Sequence, residues 1–316
     1  MSKQLSVIVP AYNEEAMVPQ AARAISAVLE GAGIPYELLF VDDGSRDGTW
    51  DRIREAAGAN PHVRGVSFSR NFGKESAMFA GLSCAAGACC VLIDCDLQHP
   101  PEKIVEMYRL WEQGYEIVEG VKASRGEEGA LHAFAAGCFY RLLSRATGID
   151  MSRASDFKLL DRKAMNVLLT MREKNAFFRA LSSWVGFRTA QVEFDVRERT
   201  AGTSKWSTRA LTKYALTNLA AFSAAPMQIV TGLGAVMLAA SLVLGIIALC
   251  QKFAGRALGG FTTVIILQLF IGSITMISLG IIGYYIARMY DEVKGRPRFI
   301  ISQTCGEDGH AEKTVG

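Results

Sequence analysis

The stretch Val91-Leu-Ile-Asp-Cys-Asp-Leu-Gln-His-Pro-Pro101 ends an apolar run in two carboxylates, Asp94 and Asp96, separated by Cys95. That spacing suits a divalent metal. Where a strand frays into a loop, both side chains can turn towards one hard cation, which takes oxygen ligands and commonly keeps a phosphate as co-ligand. A strand that ends in a solvated Asp turn has the same short pattern, so the pair does not decide between them. The seven cysteines, Cys84, Cys89, Cys90, Cys95, Cys138, Cys250 and Cys305, contain no Cys-x-x-Cys pair, which excludes the common zinc arrangements. Cys89 and Cys90 read as small apolar residues on opposite faces of a strand, and no disulfide framework is expected. The histidines, His62, His99, His132 and His310, also lack metal spacing. His99, beside the acidic loop, reads as a loop residue rather than a base.

The elements that must position this loop alternate along the N-terminal half. An apolar run from Leu5 stops at Pro10 and leads through Tyr12-Asn-Glu-Glu15 into a helical pattern from about Met17 to Glu30. Tyr36 to Val41 ends in Asp42-Asp43-Gly44-Ser45-Arg46-Asp47-Gly48-Thr49, where glycines permit a sharp turn and Ser45 or Asp47 can cap the next helix. Val63 to Phe68 leads into Ser69-Arg-Asn-Phe-Gly-Lys74 and a helix to about Ala86, and the fourth run is Cys89 to Asp94. Apolar runs alternating with helices predict an α/β fold, a mainly parallel, Rossmann-like sheet with both faces covered. Such sheets bind ligands at the carboxyl ends of their strands, where every one of these polar clusters lies.

The segments Val9-Pro-Ala-Tyr-Asn-Glu14, Val41-Asp-Asp-Gly-Ser-x-Asp-Gly-Thr49, Ser69-Arg-Asn-Phe-Gly-Lys74 and Asp94-x-Asp-Leu-Gln98 resemble family 2 glycosyltransferases of GT-A fold. With Asp156-Phe-Lys-Leu-Leu-Asp-Arg162 and Gly202-Thr-Ser-Lys-Trp206, the chain is similar to polyprenyl-phosphate glycosyltransferases of the bactoprenol glucosyltransferase and dolichyl-phosphate mannose synthase kind. The resemblance covers essentially the whole chain, and its motifs are specific only together.

The resemblance implies a UDP-sugar donor, a polyprenyl phosphate acceptor and Mg2+ or Mn2+. Pro10, Tyr12 and Glu14 then line the base and ribose, and Asp42 and Asp43 accept hydrogen bonds from uracil or ribose hydroxyls. Turn chemistry beside Gly44 is an equal role for Asp43. Asp96 ligates the metal, Asp94 is a second ligand or a ribose contact, and Gln98 is a nearby polar partner. Arg70 and Lys74 sit on the donor side, within reach of either phosphate. For the acceptor phosphate the cationic candidates are Lys122, Arg125 and Lys205. An arginine is usual in the family at the position of Lys122, so this chain keeps the charge and gives up bidentate recognition. Asp156 matches the family position near the acceptor, where a general base is often placed. A phosphate monoester has its second pKa near about 6, so the attacking oxygen is already anionic. Asp156 is therefore expected to position the sugar or acceptor and at most to assist deprotonation.

The remaining sequence points to a membrane. From Tyr214 to Gln251 and from Ala257 to Ala287 there is no Asp, Glu, Lys or Arg, and about 20 apolar residues in a helix cross a bilayer core. The expected organisation is a catalytic domain over 1–206, an amphipathic juxtamembrane helix over 207–225 and a two-helix transmembrane hairpin over 226–287. A cytoplasmic tail over 288–316 follows, polar and mobile after Ile301. A buried hairpin of a soluble protein, and a 207–225 helix packed on the catalytic domain, are the alternatives. Arg197, Arg199, Lys205, Arg209 and Lys213 precede the first span, and Arg288, Lys294, Arg296 and Arg298 follow the second. Only Lys252 and Arg256 lie between them, which predicts both termini and the catalytic domain on the cytoplasmic side of the inner membrane. No secretory signal is expected, because the first apolar run is brief and enters the fold directly.

Net charge is +3 and decides little; the basic residues cluster by the bilayer, so nucleic acid is not implied. A processive polysaccharide synthase shares this fold, but the Gln-x-x-Arg-Trp pattern such enzymes carry does not occur here. A membrane-anchored adaptor with an inactive nucleotide-sugar site is the non-enzymatic alternative. Homo-oligomerisation, a downstream flippase and a second glycosyltransferase stay open as partners.

Overall fold

A computed structural model describes residues 3–122, 155–171, 178–195, 225–254 and 260–306. The expected strands and helices of the N-terminal half are all present. They are β1 (Leu5–Ala11), α1 (Val18–Gly31), β2 (Tyr36–Asp42), α2 (Thr49–Ala59), β3 (Val63–Phe68), α3 (Lys74–Cys84) and β4 (Cys89–Leu92). Next come α4 (Glu102–Glu112), β5 (Ile117–Lys122), β6 (Lys158–Asp161), α5 (Arg162–Thr170), α6 (Phe178–Trp184) and β7 (Thr189–Phe194). The chain closes with α7 (Ala225–Phe253), α8 (Phe261–Val293) and β8 (Ile301–Cys305).

These strands form one sheet in the order β7-β5-β6-β4-β1-β2-β3-β8. Pairings among β1, β2, β3 and β4 are parallel, as is β5 with β7, while β6 runs antiparallel to both β4 and β5. Leu5, Val7, Ile8 and Val9 of β1 are fully buried, as a strand covered on both faces requires. On α1, Val18, Ala21, Ala22, Ile25 and Leu29 recur at helical spacing and pack into that core.

Two features of the topology place the site. The chain builds β2 and β3 on one side of β1 and then returns to its other side with β4, so the strand order reverses between β1 and β4. A crevice opens at the carboxyl ends of such a pair. Strand β6 then lies antiparallel beside β4, with Lys158 opposite Leu92. Asp156, just before β6, is thereby brought to the end of β4 from which Asp94 emerges.

The interface between α3 and β1 leaves no spare volume. A Cβ built on Gly81 of α3 would fall inside the van der Waals envelope of Ile8 Cγ2, whereas one on Gly31 at the end of α1 meets nothing within 4 Å. Helix α6 is tied down by a buried charge. Lys158 is 0% exposed, and its Nζ donates to Glu119 Oε1 at 2.5 Å, Ser182 Oγ at 2.8 Å and Ser183 Oγ at 3.3 Å.

The C-terminal segment departs from expectation. Instead of a mobile tail after Ile301, Ile301–Cys305 adds to the sheet as β8, antiparallel to β3. Phe299 stacks on Phe68 with ring centroids 5.3 Å apart, Trp50 Nε1 donates to Gln303 Oε1 at 2.7 Å, and Arg298 donates to the Met171 carbonyl. The edge of β3 offers unpaired backbone groups, and the five residues of β8, three of them polar, satisfy them. Two compact units result: residues 1–208 with 296–316, and residues 209–295. The second contains α7 and α8. Within α8, Phe270–Val293 is long and apolar enough to cross a membrane. The expected juxtamembrane helix lies outside the described residues except for Ala225, which opens α7.

Gly81→Ala is expected to destabilise the fold by about 1–3 kcal/mol, the usual range for overpacking a filled core, and Gly31→Ala by nothing measurable. Thermal melting of the two variants in detergent checks the contrast.

Candidate active site

The acidic loop after β4 is shaped by what it buries. Ile93 and Cys95 are 2% and 3% exposed, while Asp94, Asp96 and Gln98 are half-buried. The Gln98 N–H donates to Asp96 Oδ1 at 3.1 Å, closing a tight turn. Leu97 within that turn has φ +56, a left-handed conformation that costs a non-glycine residue on the order of 1–3 kcal/mol. The turn sends His99 inward, where it stacks on Phe157 at 5.0 Å and meets the edge of Phe194 at 5.2 Å. Burial lowers its pKa, although Asp94 acts the other way. His99 Nδ1 is buried without a hydrogen-bond partner among the described residues, 4.0 Å from Asp94 Oδ2. Expected from the sequence to be a loop residue, His99 is a buried side chain packed against two rings.

Asp156 faces this loop across a cation. Lys74 Nζ lies 2.6 Å from Asp94 Oδ1 and 2.9 Å from Asp156 Oδ2. Arg179 holds the same carboxylate in a fork, Nε to Oδ1 at 2.7 Å and Nη2 to Oδ2 at 3.0 Å. Burial alone would raise the Asp156 pKa, but Lys74 and Arg179 together hold it well below the usual carboxylate range. Burial likewise opposes the charge on Lys74, and Asp156 and Asp94 outweigh it, so the ammonium titrates above the ordinary lysine range. Glu75 is the neighbour that yields. Burial, reinforced by the charge of Asp156, pushes its carboxyl up to about 8, and its Oε2 accepts the N–H of Phe178 at 2.9 Å. Glu75 thus ties α3 to the start of α6, the helix that carries Arg179.

On the donor side, the carboxylates after β2 are engaged within the protein. Asp42 is 2% exposed and accepts from Ser67 Oγ at 2.7 Å and from the Ser45 N–H at 3.0 Å. Asp43 is 3% exposed and accepts from Phe72 N at 2.6 Å and Gly73 N at 2.9 Å. Burial pushes its pKa up to about 6, those two N–H groups pulling the other way. Asp43 therefore fastens the turn that launches α3. Gly73 sits there with φ +99, and Lys74 is the first residue of the helix. The loop after β1 is stitched to the loop after β2, Asn13 N to Ser45 Oγ at 2.9 Å, Arg46 N to Asn13 Oδ1 at 2.9 Å and Glu14 N to Thr49 Oγ1 at 2.8 Å. Pro10, Tyr12 and Glu14 are half-buried along it, with Pro10 opposite Val41.

Of the residues singled out in the sequence, the fold thus brings Asp94, Lys74 and Asp156 into direct contact. Lys122 is exposed at the end of β5, in register with Phe194. Arg125 and Lys205 lie outside the described residues. Glu75 and Arg179 were not singled out. Glu75 adjoins Lys74 in the Asn-Phe-Gly-Lys-Glu stretch, a signal within reach, whereas nothing local marks Arg179.

For a metal, the donor set is two carboxylates flanking a buried Cys95, and one of them already grips a cation at 2.6 Å. Among the described residues no three His, Cys, Asp or Glu side chains form a closed cage. Hard oxygen ligands on an open loop fit an oxygen-seeking ion such as Mg2+ or Mn2+ that completes its shell with a bound phosphate, and do not fit zinc.

Comparison with known proteins gives the family. An uncharacterized glycosyltransferase of Bacillus subtilis (strain 168), YkcC, is 39% identical over 305 residues, covering 96% of this chain and 94% of its own. An uncharacterized glycosyltransferase of Synechocystis is 36% identical, covering 97% of each chain. The prophage bactoprenol glucosyl transferase homolog of Escherichia coli (strain K12) is 34% identical, covering 95% of this chain and 99% of its own. The model of glycosyl transferase family 2 matches residues 6–168, from β1 through the helix that follows β6. With its acidic loop and Asp156 both inside that match, this chain belongs to glycosyl transferase family 2 and is a glycosyltransferase.

Proposed function

We propose that this enzyme transfers a hexose, glucose in the first instance, from a UDP-sugar to a polyprenyl phosphate at the cytoplasmic face of a membrane, inverting the anomeric configuration. The observation that supports the reading is the Asp94–Lys74–Asp156 contact, which gathers two carboxylates, read here as the donor and acceptor sides, around one cation. Relatives named as bactoprenol glucosyl transferases, 34% identical over nearly the whole chain, support a polyprenyl phosphate as acceptor.

In this reading an oxygen of the acceptor phosphate attacks the anomeric carbon from the side opposite the nucleotide. The new carbon–oxygen bond forms as the bond to the diphosphate breaks, and UDP leaves. The nucleophile is already anionic near neutral pH, so no proton need be removed. Asp156 is poorly suited to remove one, because Lys74 and Arg179 stabilise its charged form. Its role is to hold the two cations where the attacking and departing phosphates meet. Lys74 and Arg179 then lower the barrier by positioning and by charge stabilisation already in place before reaction. Asp94 and Asp96 hold the divalent ion, which when bound stabilises the negative charge on the departing diphosphate.

Membrane attachment is part of the proposal. Residues 1–208 and 296–316 belong to one compact unit, so the chain that leaves the catalytic sheet for α7 and α8 comes back to it. An excursion into a bilayer that starts and ends on one side crosses an even number of times. That supports α7 and α8 as a two-pass hairpin, with the basic flanks placing the catalytic unit in the cytoplasm. The lipid-linked sugar would then pass to a flippase and a second glycosyltransferase.

Incubating the full-length protein in detergent with undecaprenyl phosphate and a panel of nucleotide sugars, and weighing the lipid product, tests the reading directly. A hexosyl-phosphate lipid formed from a UDP-sugar is expected, and no lipid product from any donor contradicts it. Asp96→Ala should lower turnover by at least about 100-fold with unchanged melting, the order seen when one preorganised charge contact is removed. Chelation should do the same to the wild type, reversed by Mn2+ or Mg2+. Asp156→Asn should lower kcat/KM by a similar factor with no steep recovery as pH rises from 6 to 9, on the order of tenfold at most. A steep recovery in that pH series would instead assign Asp156 as the base.

A further inference from the structure

Lys74 touches both halves of the site, and the two halves differ in how firmly they are held. Asp156 has 11% of its side chain exposed and is gripped by the Arg179 fork, so it has little freedom to follow a moving partner. Asp94 is 28% exposed, and Lys74, at the open first turn of α3, is 43% exposed. The movable member of the triad is therefore the lysine. At 2.6 Å its ammonium engages Asp94 Oδ1, one of the two oxygens the carboxylate offers a divalent ion, so an ion on Asp94 must sit close beside it or displace it. Two cations cannot share that oxygen at such range without strong repulsion.

We propose that Lys74 is an exchangeable counter-cation: it joins Asp94 to Asp156 while the donor site is empty, and gives up Asp94 to the divalent ion that arrives with the donor while keeping its hold on Asp156. The inference rests on the reading of Asp94 and Asp96 as metal ligands. Its first consequence concerns affinity. A site whose carboxylate is already neutralised binds a free ion weakly, so the ion enters chiefly as a complex with the nucleotide diphosphate, which supplies the missing ligands. The second concerns charge. Once freed from Asp94, the Nζ stays at the junction beside Asp156, where the acceptor phosphate and the leaving diphosphate both bring negative charge. A lysine suits this better than an arginine fork, because a compact ammonium on a flexible stem can change partners one at a time.

Titration of the full-length protein with Mn2+ alone, followed through the electron paramagnetic resonance signal of the free ion, tests the exchange without turnover. Lys74→Met is expected to tighten Mn2+ binding by roughly tenfold or more, and Lys74→Gln to do likewise, since both remove the competing charge. Lys74→Arg should stay within about threefold of the wild type, as should Arg70→Met, whose guanidinium lies over the Phe72 ring rather than in the bridge. Unchanged or weaker binding by both neutral Lys74 variants overturns the proposal. So does an equal gain from Arg70→Met, which would make the effect one of net charge alone. The metal assignment is tested separately in the same series. If Asp94→Asn and Asp96→Asn both leave Mn2+ binding intact, that assignment fails whatever the Lys74 variants do. Melting curves taken without metal report whether each variant is folded, and Lys74→Gln, which retains a hydrogen-bond donor, is the reserve if Lys74→Met does not fold.

Discussion

A single ammonium shared by two carboxylates is the interaction on which the site depends. Asp94 arrives from the carboxyl end of a parallel strand and Asp156 from the start of an antiparallel one, and they approach because β6 returns beside β4. Two buried or half-buried carboxylates placed this close repel each other and lose hydration, at a cost of several kcal/mol per unpaired charge, on the order given for buried ions. Lys74, with Arg179 behind it, offsets that cost. The positions of these cations follow in turn from Asp43, which accepts the two N–H groups opening α3, and from Glu75 and Lys158, which hold α6. The charged residues around the site thus divide into those gathered at the strand ends, Asp94, Lys74, Asp156 and Arg179, and those that set the starting points of helices carrying them.

The same division explains what was legible in the sequence. Strands β1 to β4 announce themselves because a strand covered on both faces must be an uninterrupted apolar run, and the polar clusters at their ends mark where the sheet binds ligand. Asp94, Asp96 and Lys74 were recognisable for that reason, and Asp156 through resemblance to a family. The engagement of Asp43 was half visible, as turn chemistry beside Gly44; its partners Phe72 and Gly73 lie some thirty residues on, and no local pattern reveals them. Arg179 and Lys158 were invisible as site residues, because a charge on a short helix or in a strand looks like surface until the partner that buries it is known.

The C-terminal strand is the clearest case of tertiary context prevailing over local appearance. Ile301-Ser-Gln-Thr-Cys305 has one strongly apolar residue and reads as a tail, yet the edge of β3 needs a partner more than β8 needs intrinsic strand preference. Phe299 on Phe68 and Gln303 with Trp50 then fix its register. This strand also returns the chain, after α7 and α8, to the compact unit that holds the sheet.

The central claim is that the acidic loop holds a donor-bound ion at Asp94 and Asp96 with Asp156 kept nearby by Lys74. Crystals grown with Mn2+ and UDP, measured at the manganese absorption edge, test it most directly. The account predicts one anomalous peak within coordination distance of both Asp94 and Asp96, with Lys74 Nζ still on Asp156. A peak seated elsewhere, or UDP bound away from the carboxyl ends of β1 and β4, would contradict it.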